Sequence, residues 1–512
     1  ELTVTELQRP ASEDFLSPDD KDSDLTQQPL EIGITAEPNV LVVTDDSGSM
    51  NWDFLTEEAV SEGVYRYNGR NHHLLWPDSS FAYSWERKLS IREEDLQNRN
   101  LWRVQSYDYN KIYYNPAIRY TPWPGLNNNG EPFADSNFTN AIVNAWRATG
   151  SRDLSRENIA RYYVWVDKKI SNPAFDPDNP DAGPPEFIAD PACPSNQVDV
   201  LDGPSPLGNS ACREGWLVTI ESETGASEWT DPIDGDVTNI DYTLDGFSDG
   251  SDKYPKHPSR TDCAADNFCT LDEEKQNFAN YYTYARSREY AAKLALGTSF
   301  SESASIRLGF SGLQSSSTKI PIQAINQSPT TGAKKNFLDA VYQIRSYGST
   351  PLRRSLRGAG QYFKCDPSNN IIGASGNPGD GEVSNNFDGG CPIQAAPVGT
   401  CQSNTTILLT DGYWTGSSPN LAGDPDGDGL ATLGSGASLF DGGAFKGTGT
   451  EGNTLADVAI AYYETDLHPT LDDDVPVKTL DRARADAEAA FPNDRMHQHM
   501  KTYVISFGQT PG

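Results

Sequence analysis

No apolar run in the 512-residue chain approaches the ~20 residues that cross a bilayer as a helix. The longest, such as Val40–Val43, are strand-sized. Cations are scarce: 40 Lys and Arg face 73 Asp and Glu, a formal net charge of −33. A chain this poor in positive charge is not built to neutralise nucleic-acid phosphates or to dock on anionic lipid. Histidine is scarce too, with six in the chain, and none of the seven cysteines forms a C-x-x-C pair, so no zinc site is expected. No H-E-x-x-H helix appears, and His72-His73 reads as an isolated polar pair, so the chain is not expected to be an enzyme.

What is present points to folded, exported protein. Aromatic residues make up 10%, including 23 Tyr and 10 Trp, which excludes a disordered acidic chain. The length predicts roughly two to four domains of ~100–200 residues. Cys263 and Cys269 bracket a short loop, as do Cys391 and Cys401, and disulfides in an oxidising compartment fit this usage. Seven is odd, so one thiol is left over, and connectivity stays open. The chain begins at Glu1 without Met or a signal peptide, which reads as a processed product. The acidic balance also serves solubility or a saline habitat, and names no partner.

The pattern along the chain is α/β. Asn39–Thr44 is a continuous apolar strand of the kind buried on both faces of a parallel sheet. Thr270-Leu271-Asp272-Glu273 carries a capping-box signature. It predicts one long helix with Phe278, Tyr281, Ala285, Ala292 and Leu296 on its buried face and Gly297 as its stop. A strand follows at Ile306–Phe310, and an edge strand at Lys319–Ile322, where Pro321 cannot donate to a ladder. Phe337, Val341 and Ile344 mark another helix. Thr350-Pro351 predicts a helix with Thr350 as N-cap, buried through Leu352, Leu356, Ala359 and Phe363. Thr406–Thr410 is a second buried strand, Thr454 caps a helix, and Thr502–Phe507 is a last strand. The expected fold is an open, mostly parallel sheet flanked by helices. Residues 51–275 break the alternation and read as an irregular, β-leaning insertion, with strand-like pieces at Tyr162–Val166 and Trp216–Ile220. The expected division is 1–30 as an arm or linker, 31–50 plus 276–512 as the α/β domain, and 51–275 as the insertion. The Tyr/Trp/Pro block at 107–124 is expected to pack the insertion rather than to bind glycan.

Three loops carry candidate chemistry. Asp45, Ser47 and Ser49 form D-x-S-x-S directly after a buried strand, where ligands of parallel sheets collect. Thr350 adds a hydroxyl at a helix start, and Asp411 a carboxylate at the end of the second buried strand. Each piece alone is ordinary turn and cap chemistry. Together they offer an oxygen-only set for a hard cation, Mg²⁺ or Ca²⁺, with a coordination position left for an acidic partner. Asp424, Asp426 and Asp428, with Gly429 and the Leu430 carbonyl, match the first half of an EF-hand-type loop and form a candidate second Ca²⁺ site. The usual Glu at its twelfth position is Ser435 here.

The three-loop set resembles the metal-ion-dependent adhesion site of von Willebrand factor A (VWA) domains, in which Asp45, Ser47, Ser49, Thr350 and Asp411 would be the ligating positions. The spacing from Ser49 to Thr350 exceeds that of a plain domain, and removing 51–275 restores it. Pro38–Met50, Leu101–Val104, Tyr113–Pro116, Tyr120–Pro124, Asn277–Tyr282, Thr410–Trp414 and Asn453–Ala459 are similar to the PilC/PilY family of type IV pilus tip-associated adhesins. That resemblance implies an adhesin exported through the periplasm to the cell surface or pilus tip. It would work with minor pilins, support pilus assembly and attach to a host-cell or abiotic surface. A cation-stabilised structural scaffold, with contacts made by the insertion, is the alternative. The family usually continues into a C-terminal β-propeller. This chain ends after a strand that would still need a closing helix, so a fragment is expected.

Overall fold

A computed structural model describes residues 36–55, 65–76 apart from 68–69, 86–89, 102–156 apart from 106 and 108–109, 160–171 apart from 168–169, short strands between 186 and 255, 259–314 apart from 266–267, 319–365, 391–421 apart from 413, 417 and 420, 454–476 and 495–506.

Five strands form the central sheet: β1 (Asn39–Thr44), β2 (Arg307–Gly312), β3 (Lys319–Ala324), β4 (Asn404–Thr410) and β5 (Met500–Ser506). Their order is β3-β2-β1-β4-β5. The β1–β2, β1–β4 and β4–β5 pairs are parallel, and only the β2–β3 pair is antiparallel. The expected edge strand at Lys319–Ile322 is thus real, and its proline sits where no second neighbour needs an N–H.

The helices are α1 (Leu271–Tyr284), α2 (Arg288–Ser301), α3 (Gly332–Tyr342), α4 (Leu352–Phe363) and α5 (Leu455–Glu464). They cover both faces of the sheet. Val42, Leu308 and Phe310 point to one face, against Ala292, Leu296, Phe337 and Val341 of α2 and α3. Leu41, Val43 and Leu408 point to the other, against Leu352, Leu356, Ala359, Val458 and Tyr462 of α4 and α5. Leu41, Val42 and Val43 are all 0% exposed. Burial of such side chains contributes about 1.5–3 kcal/mol each, which explains a strand that is apolar without alternation.

The long helix expected from 270 to 297 is two helices. The capping box at Thr270 is present and starts α1, but the helix ends at Tyr284, and Ser287 caps a new one. Gly297 is not a stop but an interior position of α2: a Cβ there would meet the Tyr342 hydroxyl at 2.2 Å, so glycine is what lets α2 and α3 approach. Thr454 makes the second capping box, with Asp457. Thr350 does not cap α4. Pro351 holds the cap position, and no side chain there bonds to the helix.

The described residues of the irregular region before Tyr162 pack around α1, and the expected boundary at 275/276 falls inside that helix. Trp76, Tyr113, Tyr114 and Tyr120 are buried with Phe278, Tyr281 and Tyr282 of α1. Trp123 stacks on Tyr342 at 4.8 Å in the core beneath the sheet. Tyr113, Tyr114, Tyr120 and Trp123 of the Tyr/Trp/Pro block are therefore core. The two strand-like pieces pair with each other, Arg161–Asp167 antiparallel to Arg213–Thr219. His73 is not an isolated polar residue: it is 5% exposed and packs on Trp52 at 4.7 Å.

Cys263 pairs with Cys269 as their spacing suggested. Cys391 pairs with Cys365 and not with Cys401. Spacing along the chain misses this bridge because its two ends meet through the fold. No helix among the described residues is long and apolar enough to cross a membrane.

Candidate functional site

Asp45 and Asp411 follow β1 and β4, which lie side by side with Thr44 opposite Leu409. The sheet order reverses between these strands, because the chain leaves β1 for β2 on one side and returns to β4 on the other. Such a reversal opens a crevice beyond the carboxyl ends of the strands.

Local turn chemistry then shapes the loop. The Ser47 N–H donates to Asp45 Oδ1 at 2.8 Å, an Asx-type turn. The Ser47 and Ser49 hydroxyls lie 3.1 Å apart, and Ser49 Oγ donates to Asp411 Oδ1 at 3.0 Å. Thr410 Oγ1 donates to Asp45 Oδ2 at 2.7 Å. The structure thus joins Asp45, Ser47, Ser49 and Asp411 in one connected set of oxygens. Thr350 stands in the adjoining loop, which meets the first where the Gly48 N–H donates to Gly348 O at 3.2 Å. Its N–H donates to Thr415 Oγ1 at 2.8 Å, and its carbonyl accepts from the Thr415 N–H at 2.8 Å. The segment after Asp411 therefore clamps the Thr350 backbone. The candidate loop of Asp424, Asp426, Asp428 and Leu430 lies outside the described residues.

Three residues around the site carried no assigned role in the sequence. Asp46 is a clamp: its Oδ1 accepts from the Leu313 and Gln314 N–H groups, and its carbonyl accepts from the Tyr347 N–H. Thr410 orients Asp45. Arg288, at the start of α2, donates through Nη1 to Asp411 Oδ2 at 2.6 Å, with both side chains 1% exposed. Its Nε and Nη2 donate to Phe54 O at 2.9 and 2.7 Å, and its guanidinium lies 5.0 Å over the Trp52 ring. One signal for it exists in the chain: Ser287-Arg288-Glu289 reads as a cap and first turn. Nothing local ties that turn to Asp411.

Burial and the like charge of Asp411 push the Asp45 carboxyl up to about 7, against the pull of the Ser47 and Thr410 hydrogen bonds. The set therefore favours added positive charge. Hydroxyl and carboxylate oxygens, without sulfur or imidazole, are the donors a hard divalent cation takes. The residues fit Mg²⁺ or Ca²⁺.

This has a pH consequence. A carboxyl raised in the folded state holds its proton where the unfolded chain has lost it. Its stability contribution is complete below pH 3.8 and is lost as pH rises to about 7. The loss is on the order of 4 kcal/mol for Asp45. His73 acts in the opposite sense. Burial, then the charges of His72, Arg288 and Arg87, push it down to about 4, so acidification destabilises the fold. Comparing wild type with Asp45→Asn cancels the histidine. In EDTA the wild type is expected to lose stability relative to the variant between pH 4 and 7 in urea melts. Millimolar Mg²⁺ is expected to remove that decline. A flat difference in EDTA would contradict the assignment.

No family model and no solved structure matches the chain. Three curated relatives, each described as type IV pilus biogenesis factor PilY1, come from strains of Pseudomonas aeruginosa. The chain is 30% identical to that of strain PAK over 252 residues, 46% of this chain and 20% of the relative. It is 27% identical to that of strain PAO1 over 351 residues, 62% of this chain and 27% of the relative. It is 21% identical to that of strain UCBPP-PA14 over 495 residues, 94% of this chain and 32% of the relative. The chain thus spans a third or less of the length of these relatives.

Proposed function

We propose that this chain is a non-catalytic, cation-dependent binding head of a type IV pilus biogenesis factor. In this reading it has a VWA-type fold, acts at the cell surface or pilus tip with minor pilins, and attaches the pilus to a host-cell or abiotic surface. The observation that carries the reading is the convergence of Asp45, Ser47, Ser49 and Asp411 at the strand-order reversal, through contacts of 2.7–3.1 Å. The sheet order and its antiparallel edge strand support the VWA assignment. The likeness to PilY1 proteins supports the pilus role.

Asp45, Ser47, Ser49 and Asp411 would hold Mg²⁺ or Ca²⁺, with Thr350 supplying its hydroxyl from the adjoining loop. A bound ion supplies a Lewis-acidic position for a partner carboxylate. The protein's own part is preorganisation. Thr410 orients Asp45, Arg288 holds one Asp411 oxygen so that the other faces Ser49, and Asp46 ties down the loops around them.

Asp45→Ala and Asp411→Ala are expected to abolish divalent-cation-dependent binding to pilins or surfaces, read as adhesion with Mg²⁺ against EDTA. Adhesion that survives both substitutions with its cation dependence intact overturns the reading. A structural role is the second reading, favoured by Arg288, which ties Asp411 to Phe54 and Trp52 of the irregular region. Cation-dependent melting without cation-dependent ligand affinity would select it.

A further inference from the structure

A cleft of about 500 Å³ opens beside the ion loop. One wall is the hairpin of Ala141–Asn144 and Thr149–Arg152, whose turn carries Trp146 and Arg147. The other wall is the segment after α3, with Arg345 and Tyr347. The cleft adjoins the cation loop directly. Asn51, the last residue of the turn Gly48–Asn51, lines it, and the Tyr347 N–H donates to Asp46 O at 2.8 Å.

Its charge runs against that of the chain. Arg147, Arg286, Lys293 and Arg345 line it with a single carboxylate, Glu289, whereas the whole chain carries −33. Glu289 is engaged already: Lys293 Nζ lies 2.5 Å from its Oε1, and the Ser346 N–H donates to its Oε2 at 2.8 Å. Arg286 is 5% exposed and held in place, donating to Tyr282 O and Val143 O at 2.7 Å each and lying over the Tyr282 and Tyr290 rings. Arg147 and Arg345 are exposed, and neither forms an ion pair among the described residues.

We propose that this cleft is a second binding site, taking an acidic peptide segment of a protein partner alongside the cation loop. Guanidinium groups meet carboxylates through two parallel hydrogen bonds, and Arg, Tyr and Trp are the side chains that concentrate binding energy at protein interfaces. The volume lies in the ~300–1,000 Å³ range of preformed ligand pockets. An anionic saccharide fits less well, because the one carboxylate of the cleft, the strongest acceptor it could offer to sugar hydroxyls, is occupied. The four cations of the cleft against one engaged carboxylate give an acidic segment its complement and set where it docks. The proposal deepens the binding-head reading and rests on it for the kind of partner.

The test uses the full chain and a fluorescein-labelled peptide of about eight residues, half of them Asp or Glu, as a stand-in for a segment that fills such a pocket. A control peptide has Asn and Gln in their place. Binding is followed by anisotropy in Mg²⁺ and in EDTA, for wild type and for Arg147→Glu, Arg345→Glu and the double variant. Both positions are exposed, and circular dichroism verifies folding. The double reversal is expected to weaken the acidic peptide ~10- to 100-fold in either buffer, and the control peptide is expected not to bind. Unchanged affinity in the double variant, equal binding of the control, or no binding of the acidic peptide at millimolar concentration overturns the proposal. So does an anionic oligosaccharide that binds in its place and is lost in the double variant. Binding abolished by EDTA but indifferent to the arginines sinks the cleft and leaves the cation reading standing. Binding that persists in EDTA and is lost with the arginines supports the cleft, and the cation reading is then decided separately by the Asp45→Ala and Asp411→Ala adhesion test.

Discussion

Arg288→Met is expected to lower the stability of the protein in EDTA by about 3–5 kcal/mol, the range for breaking a buried ion pair by removing one partner. The guanidinium neutralises Asp411 and supplies two of the hydrogen bonds to Phe54 O, and both carboxylate and arginine are 1% exposed. Methionine fills much of the space but leaves Asp411 as a buried charge beside Asp45. A divalent cation answers that charge, so the loss in millimolar Mg²⁺ is expected to be smaller than in EDTA. Arg288→Lys is expected to recover little, because a single ammonium cannot reach Asp411 and Phe54 O with the geometry of the planar fork. Urea melts in the two buffers measure all of this. Equal stability of wild type and Arg288→Met in EDTA would show that Asp411 does not depend on the arginine.

The second large effect lies where the irregular region meets α1. Glu274 is 1% exposed and accepts from four groups. Tyr114 Oη is at 2.5 Å, Tyr162 Oη at 3.1 Å, and Arg260 Nη1 and Nη2 each at 3.1 Å. Burial pushes its carboxyl up, while Arg260 and the tyrosine hydroxyls pull it down. Glu274→Ala leaves Arg260, 2% exposed, without this partner and takes one from each tyrosine. The expected loss is about 3–5 kcal/mol. Glu274→Gln keeps the shape and an acceptor and is expected to lose less. Because Tyr114, Tyr162 and Arg260 all belong to the irregular region, tyrosine fluorescence and far-ultraviolet circular dichroism should report one coincident transition in wild type. Separate transitions would show that this region and the sheet unfold independently.

Much of the sheet was readable along the chain. Asn39–Thr44 and Thr406–Thr410 stand out because strands buried on both faces cannot tolerate alternation. Pro321 announced the edge strand, Thr270 announced its helix through a capping box, and Thr454 announced another as its cap. The reading failed where neighbours distant in sequence overrode local signals. Gly297 looked like a helix stop and is a contact with Tyr342. Thr350 looked like an N-cap and instead meets Thr415 through its backbone. Cys391, whose pairing the spacing left open, joins Cys365.

The same division holds at the candidate site. The donor chemistry of Asp45, Ser47, Ser49 and Asp411 was legible because a carboxylate or hydroxyl at the end of a buried strand is local information, carried by strand pattern and turn residues. Arg288 as the counter-charge, Asp46 as a clamp and the basic cleft of Arg147, Arg286 and Arg345 were not. Each depends on segments far apart in the chain coming together, as Arg288 meets Asp411 across 123 residues and Phe54 across 234, and Asp46 meets Leu313 across 267. Periodicity and capping act over a few residues. Long-range pairing of charges is decided by packing, which alone determines which buried group must answer which.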